Sequence, residues 1–530
     1  MAFTSLYFLI FALLTVCVYY LVPIKWRWLE LLAASYAFYL IASPKTFVFV
    51  LLTTAVTFFG GKYLGGCNQK HKAYMDEHKA ELSKEERKAA KAASQSRKRK
   101  AVAVILILDF GVLAVLKYFR YYLQAAGIID TGSLLIPLGI SFYTFQSAAY
   151  IFDLYRNKYE ADTNIATFAL FTSFFPQIVQ GPISRHDQLA HQLYEGNRFD
   201  YTNLTRGAQL VLWGFFKKLI LADRVAILVD QVFDNYTDYS GWAVFIALLF
   251  YMIQIYADFS GGIDIARGVA QCMGITMTHN FMRPYFAKDL SDFWNRWHIS
   301  LSHWCRDYIF YPVAMSKVFG KAGKNLRSLL GDRVGKLFPV IIAQFCTFLT
   351  IGLWHGAEFK YIAYGLYNGI VIVSGLLLEP VLKGAIDKLH INEESQAWQR
   401  FRIVRTFFIV MAGRVLPRAA SFGVAVSMFG SMFTITTVMP VGETFLSFGL
   451  TWIDYIIILF GCAVWFLISR YEEKQSKVAD GMGEEAVRIM LEGKSMKFRW
   501  AALLIGFALV VSLGVYGPGY DASAFIYRGF

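Results

Sequence analysis

Hydrophobic runs recur along the whole chain with no polar stretch of domain size between them, and this limits what the chain can fold into more than any single motif does. The runs lie at 1–24, 29–43, 46–60, 101–118, 133–152, 164–182, 206–229, 241–257, 337–357, 361–378, 403–434, 451–468 and 499–516. A helix needs about 20 apolar residues to cross a bilayer, so the longer runs read as full spans and the shorter ones as tilted or re-entrant segments. The pattern predicts an all-α polytopic membrane protein with roughly 11–13 membrane segments, in one domain over residues 1–530. Composition agrees, since only 17% of the residues are charged, against about 25% in a soluble domain. The first run carries no charged side chain and lacks both the basic n-region and the small-residue cleavage site of a signal peptide, so it is expected to remain as the first span. Six cysteines, Cys17, Cys67, Cys272, Cys305, Cys346 and Cys462, are scattered without a CxxC pair and mostly within apolar runs. They read as small core residues, with no disulfide framework or structural zinc expected.

The net charge of +14 has three available meanings: nucleic acid, anionic lipid or membrane orientation. Its distribution decides between them. The insert Lys62–Lys100 holds 12 Lys or Arg against five Asp or Glu, half of the whole excess, and ends in Arg97, Lys98, Arg99 and Lys100 just before a span. By the positive-inside tendency the insert 62–100 is cytoplasmic, so the three preceding spans put the N-terminus outside. The charge is a topology signal with ordinary helical salt pairs, and no nucleic-acid partner is expected. A basic helix lying on anionic headgroups is the alternative reading of the insert. The charged loop 470–498 is nearly balanced and also assigned to the cytoplasm, which sends the tail 517–530 outside.

Ionisable groups inside a bilayer are expensive, so those embedded in apolar runs are functional candidates. His355 is the clearest, being the only ionisable residue of LFPVIIAQFCTFLTIGLWHGA, 337–357. Histidine accepts and returns a proton near neutral pH, and an apolar site favours its basic form. The plainer reading is a buried histidine bonded to a backbone carbonyl or wetted at the membrane interface. In the segment 283–313, Phe293, Trp297, Leu301, Trp304 and Tyr308 recur at helical spacing, which predicts an amphipathic helix with an aromatic face. His298 falls at the border of that face, as a site residue or as an interfacial histidine. His298 and His303, five apart, would point to different sides of a helix and make a poor metal site. Arg296, Arg306 and Asp307 read equally as a salt-bridged belt or as contacts to an anionic substrate. Gln146, Gln177, Gln180, Asp258 and Asp264 puncture other runs beside Gly and Pro, where interrupted helices line cavities or polar side chains join helix to helix. The chain holds no GxSxG elbow, no Walker loop and no HExxH.

FWNRWHISLSHWCRDY and GLWHG together resemble the signature of the membrane-bound O-acyltransferase family. PLGISFYTFQSAAYIFDLYR, FFPQIVQGPISR, YADFSGGIDIARG, NFMRPYFAKDLSDFWNRWHISLS and the terminal FIYRGF are similar, in the same order, to its bacterial branch concerned with alginate O-acetylation. Against that branch the tail departs at Arg528 and Gly529, and the insert 62–100 is longer and more charged. The resemblance implies a ring of tilted helices around a central through-membrane tunnel, where a cytoplasmic donor entry meets an exoplasmic acceptor entry. It places the family's near-invariant histidine on His355 and the second family histidine on His298. It further implies acetyl-CoA as the donor with no tightly bound cofactor, and transfer of acetyl outward to a polysaccharide or to an extracytoplasmic SGNH-type acetyltransferase. The setting would be the bacterial plasma membrane. Trp297, Trp354, Asp307, Arg296, Gln146, Gln180 and Asp258 are then candidates for the substrate channel.

Three other readings stand beside this one. D-alanyl transfer to teichoic acid would use a carrier-protein thioester as donor. A transporter or flippase of an envelope precursor would also need many spans and interrupted helices, but the repeats common in such folds are not visible here. A membrane scaffold would have no site of its own.

Overall fold

In a computed structural model, the residues described are 3–128, 137–178, 180–434, 441–476, 486–517 and 520. Among them the secondary structure is helical throughout, apart from one isolated antiparallel bridge between Phe281 and Trp297. Among the described residues, seven helices are long and apolar enough to cross a membrane, within Pro44–Glu77, Lys84–Leu123, Trp242–Cys272, Asp332–His355, Phe359–Lys388, Trp452–Ser476 and Met496–Leu513. The chain is therefore an all-α polytopic membrane protein. Other apolar runs form shorter pieces. The run at 164–182 breaks into Ile165–Ser173 and Phe175–Ile178, with Pro176 in the second piece. The run at 206–229 is interrupted by a wide π-turn at Phe216–Ala222. Residues 477–485 of the charged loop and 521–530 of the tail lie outside the described residues.

The chain forms two compact units, Met1–Gly207 with Ala266–Thr278, and Ala208–Ile265 with His279–Phe530. In the first, the basic insert is a helical hairpin. Helix Phe47–Glu77 runs on past its apolar part, and helix Lys84–Ala114 begins in a capping box where Ser83 and Glu86 satisfy each other's backbone N–H groups. Lys98 is buried, its Nζ donating to Asn68 Oδ1 at 2.9 Å and to the Tyr155 carbonyl at 3.0 Å. One member of the basic run thus anchors the hairpin as well as carrying charge. Gly61 lets helix Phe47–Glu77 approach helix Ile140–Tyr155, since a Cβ there would lie 2.6 Å from the Tyr150 ring.

The second unit contains the helical pair Asp332–His355 and Phe359–Lys388, joined by three residues. Their backbones touch at glycines: a Cβ on Gly352 would lie 2.5 Å from the Tyr361 carbonyl oxygen, and one on Gly365 would lie 2.3 Å from that of Phe348. Small residues allow such contact between helices in lipid. Gly365→Leu is expected to force the pair apart and to lower the unfolding midpoint of the detergent-solubilised protein, with a cost of about 1–3 kcal/mol. Gly375→Ala in the same helix, where a Cβ meets nothing within 4 Å, is expected to leave the midpoint unchanged or slightly raised.

Candidate active site

His355 is the last residue of helix Asp332–His355 and is 5% exposed. The turn that follows explains its surroundings. Gly356 has no side chain where a Cβ would lie 2.4 Å from the Tyr361 ring, so that ring stacks on the His355 imidazole at 6.2 Å and 15°. Tyr364, one turn further on, meets the same imidazole edge-on at 5.6 Å, and Trp354 lies 4.8 Å away.

The amphipathic helix expected within 283–313 is broken at His298. Leu290–Arg296 and Ile299–Cys305 are separate helices, and His298 between them has φ +46°, a left-handed conformation. The break follows from the bridge beside it. Met282 N–H donates to the Arg296 carbonyl and Ile299 N–H to the Asn280 carbonyl, both at 2.9 Å, so residues 280–282 run alongside 296–299. A left-handed residue other than glycine costs about 1 kcal/mol and marks a place where its surroundings dictate the conformation. The five residues chosen by periodicity, Phe293, Trp297, Leu301, Trp304 and Tyr308, are all buried.

His298 is 2% exposed, with its Nδ1 3.2 Å from Asn280 Oδ1. Its ring meets Phe259 at 5.0 Å and Trp354 at 5.6 Å. Trp354 therefore touches both histidines. Arg414, on helix Gln396–Arg418, is 2% exposed, with its guanidinium 4.3 Å from the Trp297 ring and 5.5 Å from that of Tyr364. His298, Trp354, His355, Tyr364, Arg414 and Trp297 thus form one chain of contacts within the second unit. His298 lies between the candidate spans, and burial, followed by the Arg414 charge, holds its imidazole well below the ordinary histidine pKa. A neutral, basic imidazole is what a proton-accepting step requires.

The other sequence candidates separate. Arg296 is occupied by Asp292 at 2.7 Å and Glu473 at 3.0 Å, and Glu473 also receives Arg283 Nε at 2.9 Å. Asp307 pairs with Arg306 at 3.0 Å. Arg306 also lines a cavity of about 190 Å³ with Asn295, Ser302, His303, Gln344 and Thr347, on the flank of the helix that ends in His355. Asp258 accepts from Lys218 at 2.5 Å, and Asp264 from Lys217 at 2.6 Å. Gln146 and Gln180 belong to the first unit. There Gln146 Nε2 donates to the Phe171 carbonyl at 2.9 Å, while Gln180 Oε1 is buried without a hydrogen-bond partner among the described residues.

Asn280 and Arg414 were not among the sequence candidates. Arg414 is a cation inside the run 403–434, but it shares that run with Arg405 and Arg418 and so does not stand out as His355 does. Asn280 stands in the polar interval THNFMRP, and only the bridge at Phe281 reveals its position. Among the described residues, no group of three or more His, Cys, Asp or Glu is placed to hold a metal ion.

The profile of the membrane-bound O-acyltransferase family matches residues 156–331. A protein of Pseudomonas aeruginosa named "Probable alginate O-acetylase AlgI" is 31% identical over 457 residues, covering 82% of this chain and 76% of its own. One of the same name in Azotobacter vinelandii is 32% identical over 451 residues, covering 82% and 78%. The peptidoglycan O-acetyltransferase of Helicobacter pylori is 32% identical over 298 residues, covering 50% and 53%.

Proposed function

The chain belongs to the membrane-bound O-acyltransferase family, and from that membership we propose that it moves an acetyl group from cytosolic acetyl-CoA to a hydroxyl of an extracytoplasmic polysaccharide. The chain is a multi-pass membrane O-acyltransferase, and the proposal supplies the donor, the acceptor and the base. The observation that carries it is the pair of buried histidines joined through Trp354. In this reading His355 removes the proton from the incoming hydroxyl, whose oxygen attacks the thioester carbonyl carbon. The carbon–sulfur bond then breaks, the thiolate leaves with the proton that the imidazole held, and an ester remains. His298 orients the acceptor. The buried Arg414 charge favours the negative charge that develops on the carbonyl oxygen, a kind of stabilisation strongest where water is excluded.

Donor and acceptor come from opposite sides. The insert 62–100, with its excess of seven positive charges, supports a cytoplasmic face for the donor, the N-terminus and the tail 517–530 lying outside a bacterial plasma membrane. The receiving hydroxyl belongs to the polymer itself or to an extracytoplasmic SGNH-type acetyltransferase that hands the acetyl group on. The names of the alginate and peptidoglycan relatives support a polysaccharide acceptor.

Membranes carrying the chain and given acetyl-labelled acetyl-CoA, with no carrier protein, are expected to place label on polymer or protein. Label that appears only when a D-alanyl carrier protein is supplied as donor would overturn the acetyl-CoA assignment. Movement of an acceptor across proteoliposomes without acyl turnover would replace transfer by transport.

A further inference from the structure

We propose that Asn280 is a positioning residue that fixes the tautomer of His298, so that His298 Nε2 faces the acceptor as a hydrogen-bond acceptor for a hydroxyl beside the one that attacks. The inference rests on the acyl-transfer reading and adds to it the group that orients the second histidine.

Hydrogen positions follow here from which atoms can donate. The Ser300 backbone N–H lies 3.0 Å from the terminal amide of Asn280, and a backbone N–H can only donate. The amide atom facing it is therefore the oxygen, Oδ1, which fixes the orientation of an amide that its shape alone leaves ambiguous. Ser300 Oγ, 2.8 Å from the same oxygen, donates to it as well. His298 Nδ1 stands 3.2 Å from that oxygen. With a lone pair on Nδ1, two acceptors would face each other in a buried site, whereas a proton there makes a hydrogen bond. The proton thus resides on Nδ1, and in a neutral imidazole the lone pair then resides on Nε2. His298 Nε2 is buried and has no hydrogen-bond partner among the described residues, the arrangement of a base or acceptor awaiting a donor from a ligand.

The backbone holds this geometry in place. The Ile299 N–H to Asn280 carbonyl bond and the Phe281–Trp297 bridge set Asn280 beside His298, and the left-handed conformation of His298 is confined to that crossing. Phe259 and Trp354 pack on the imidazole and resist its rotation. Arg414, a fixed positive charge nearby, disfavours a second proton on the ring. A hydroxyl of the acceptor sugar beside the attacking one donates its hydrogen to Nε2, which orients the acceptor and leaves the proton of the attacking hydroxyl to His355.

The test measures acetyl transfer from labelled acetyl-CoA in membranes containing equal amounts of inserted wild-type, N280A, N280D, H298A and N280A/H298A protein. Loss of a tautomer-setting partner is expected to lower kcat by about 10- to 100-fold. The KM for acetyl-CoA is expected to change by less than about twofold, because the donor does not touch Asn280 in this reading. N280D keeps an oxygen for Nδ1–H and is expected to stay within about threefold of wild type. In the H298A background, N280A is expected to add less than about a threefold loss, because a residue acting through His298 has nothing left to act on. A merely structural asparagine would add its full defect there, and that result would overturn the inference, as would an N280A protein transferring at the wild-type rate. Wild-type membranes that transfer no label from acetyl-CoA would instead overturn the acyl-transfer reading on which the inference stands.

Discussion

Replacing His355 with alanine is expected to lower acyl transfer by about 10²- to 10⁴-fold, the range that general-base assistance contributes, while the protein remains inserted at near wild-type abundance. The first half follows from role and the second from location. The imidazole is buried against Trp354, Tyr361 and Tyr364 at the very end of its helix. The helix is held farther back, by the contacts of Gly352 and Gly365 with the neighbouring backbone. Truncating His355 therefore leaves the helical pair in register. His355→Gln, which keeps much of the volume and polarity but cannot carry a proton, should be as inactive as the alanine variant. The readouts are label transferred from acetyl-CoA in isolated membranes and O-acetyl content of the surface polymer, each normalised to inserted protein. Ordinary acetylation in the alanine variant would remove His355 from the mechanism.

How much of this was legible beforehand depends on the range of the interactions concerned. The all-α membrane class is written in local composition, because a bilayer demands apolar side chains and satisfied backbone groups in each segment separately. His355 could be read for the same reason, as a titratable group in a run that otherwise excludes them. The aromatic face around Trp297 was also visible, since helical spacing reports which side is buried. The break at His298 was not visible: both flanking pieces keep helical spacing, and the interruption comes from a bridge between residues 16 apart in sequence, Phe281 and Trp297. Asn280 was missed for that reason. Arg414, Lys217 and Lys218 are a different case: each is a cation inside an apolar run, but Arg405 and Arg418 share the run of Arg414, and Arg206, Asp223 and Arg224 share that of the lysines, so none stands alone as His355 does. What the sequence could not supply is their partners, which lie on other helices.

Lys218 shows what such partners are worth. Its ammonium is 1% exposed and stands 2.5 Å from Asp258 Oδ1 and 2.7 Å from Asp223 Oδ1, with Tyr520 Oη donating to the other oxygen of Asp223 at 2.9 Å. The wide turn at Phe216–Ala222 places Lys217 and Lys218, adjacent in sequence, both in the interior. Gly214 and Gly261 let the backbones of the two helices come close enough for both lysines to reach the carboxylates of Asp258 and Asp264. Lys218→Met keeps most of the side-chain volume and removes the charge, leaving Asp258, whose side chain is 3% exposed, without its lysine. Breaking a buried pair from one side costs about 3–5 kcal/mol, and here the carboxylates of Asp258 and Asp223 both lose the cation that faced them. The expected result is a large drop in membrane abundance and a lowered unfolding midpoint in detergent. The double variant Lys218→Met with Asp258→Asn removes one of the two carboxylates that faced the lysine, leaving Asp223, and should recover part of that loss, since the cost lies in the buried carboxylates rather than in the missing attraction. A single variant as stable as wild type, or a double variant no better than the single, would show that water or other cations already compensate Asp258, and that the buried lysine is dispensable to the fold.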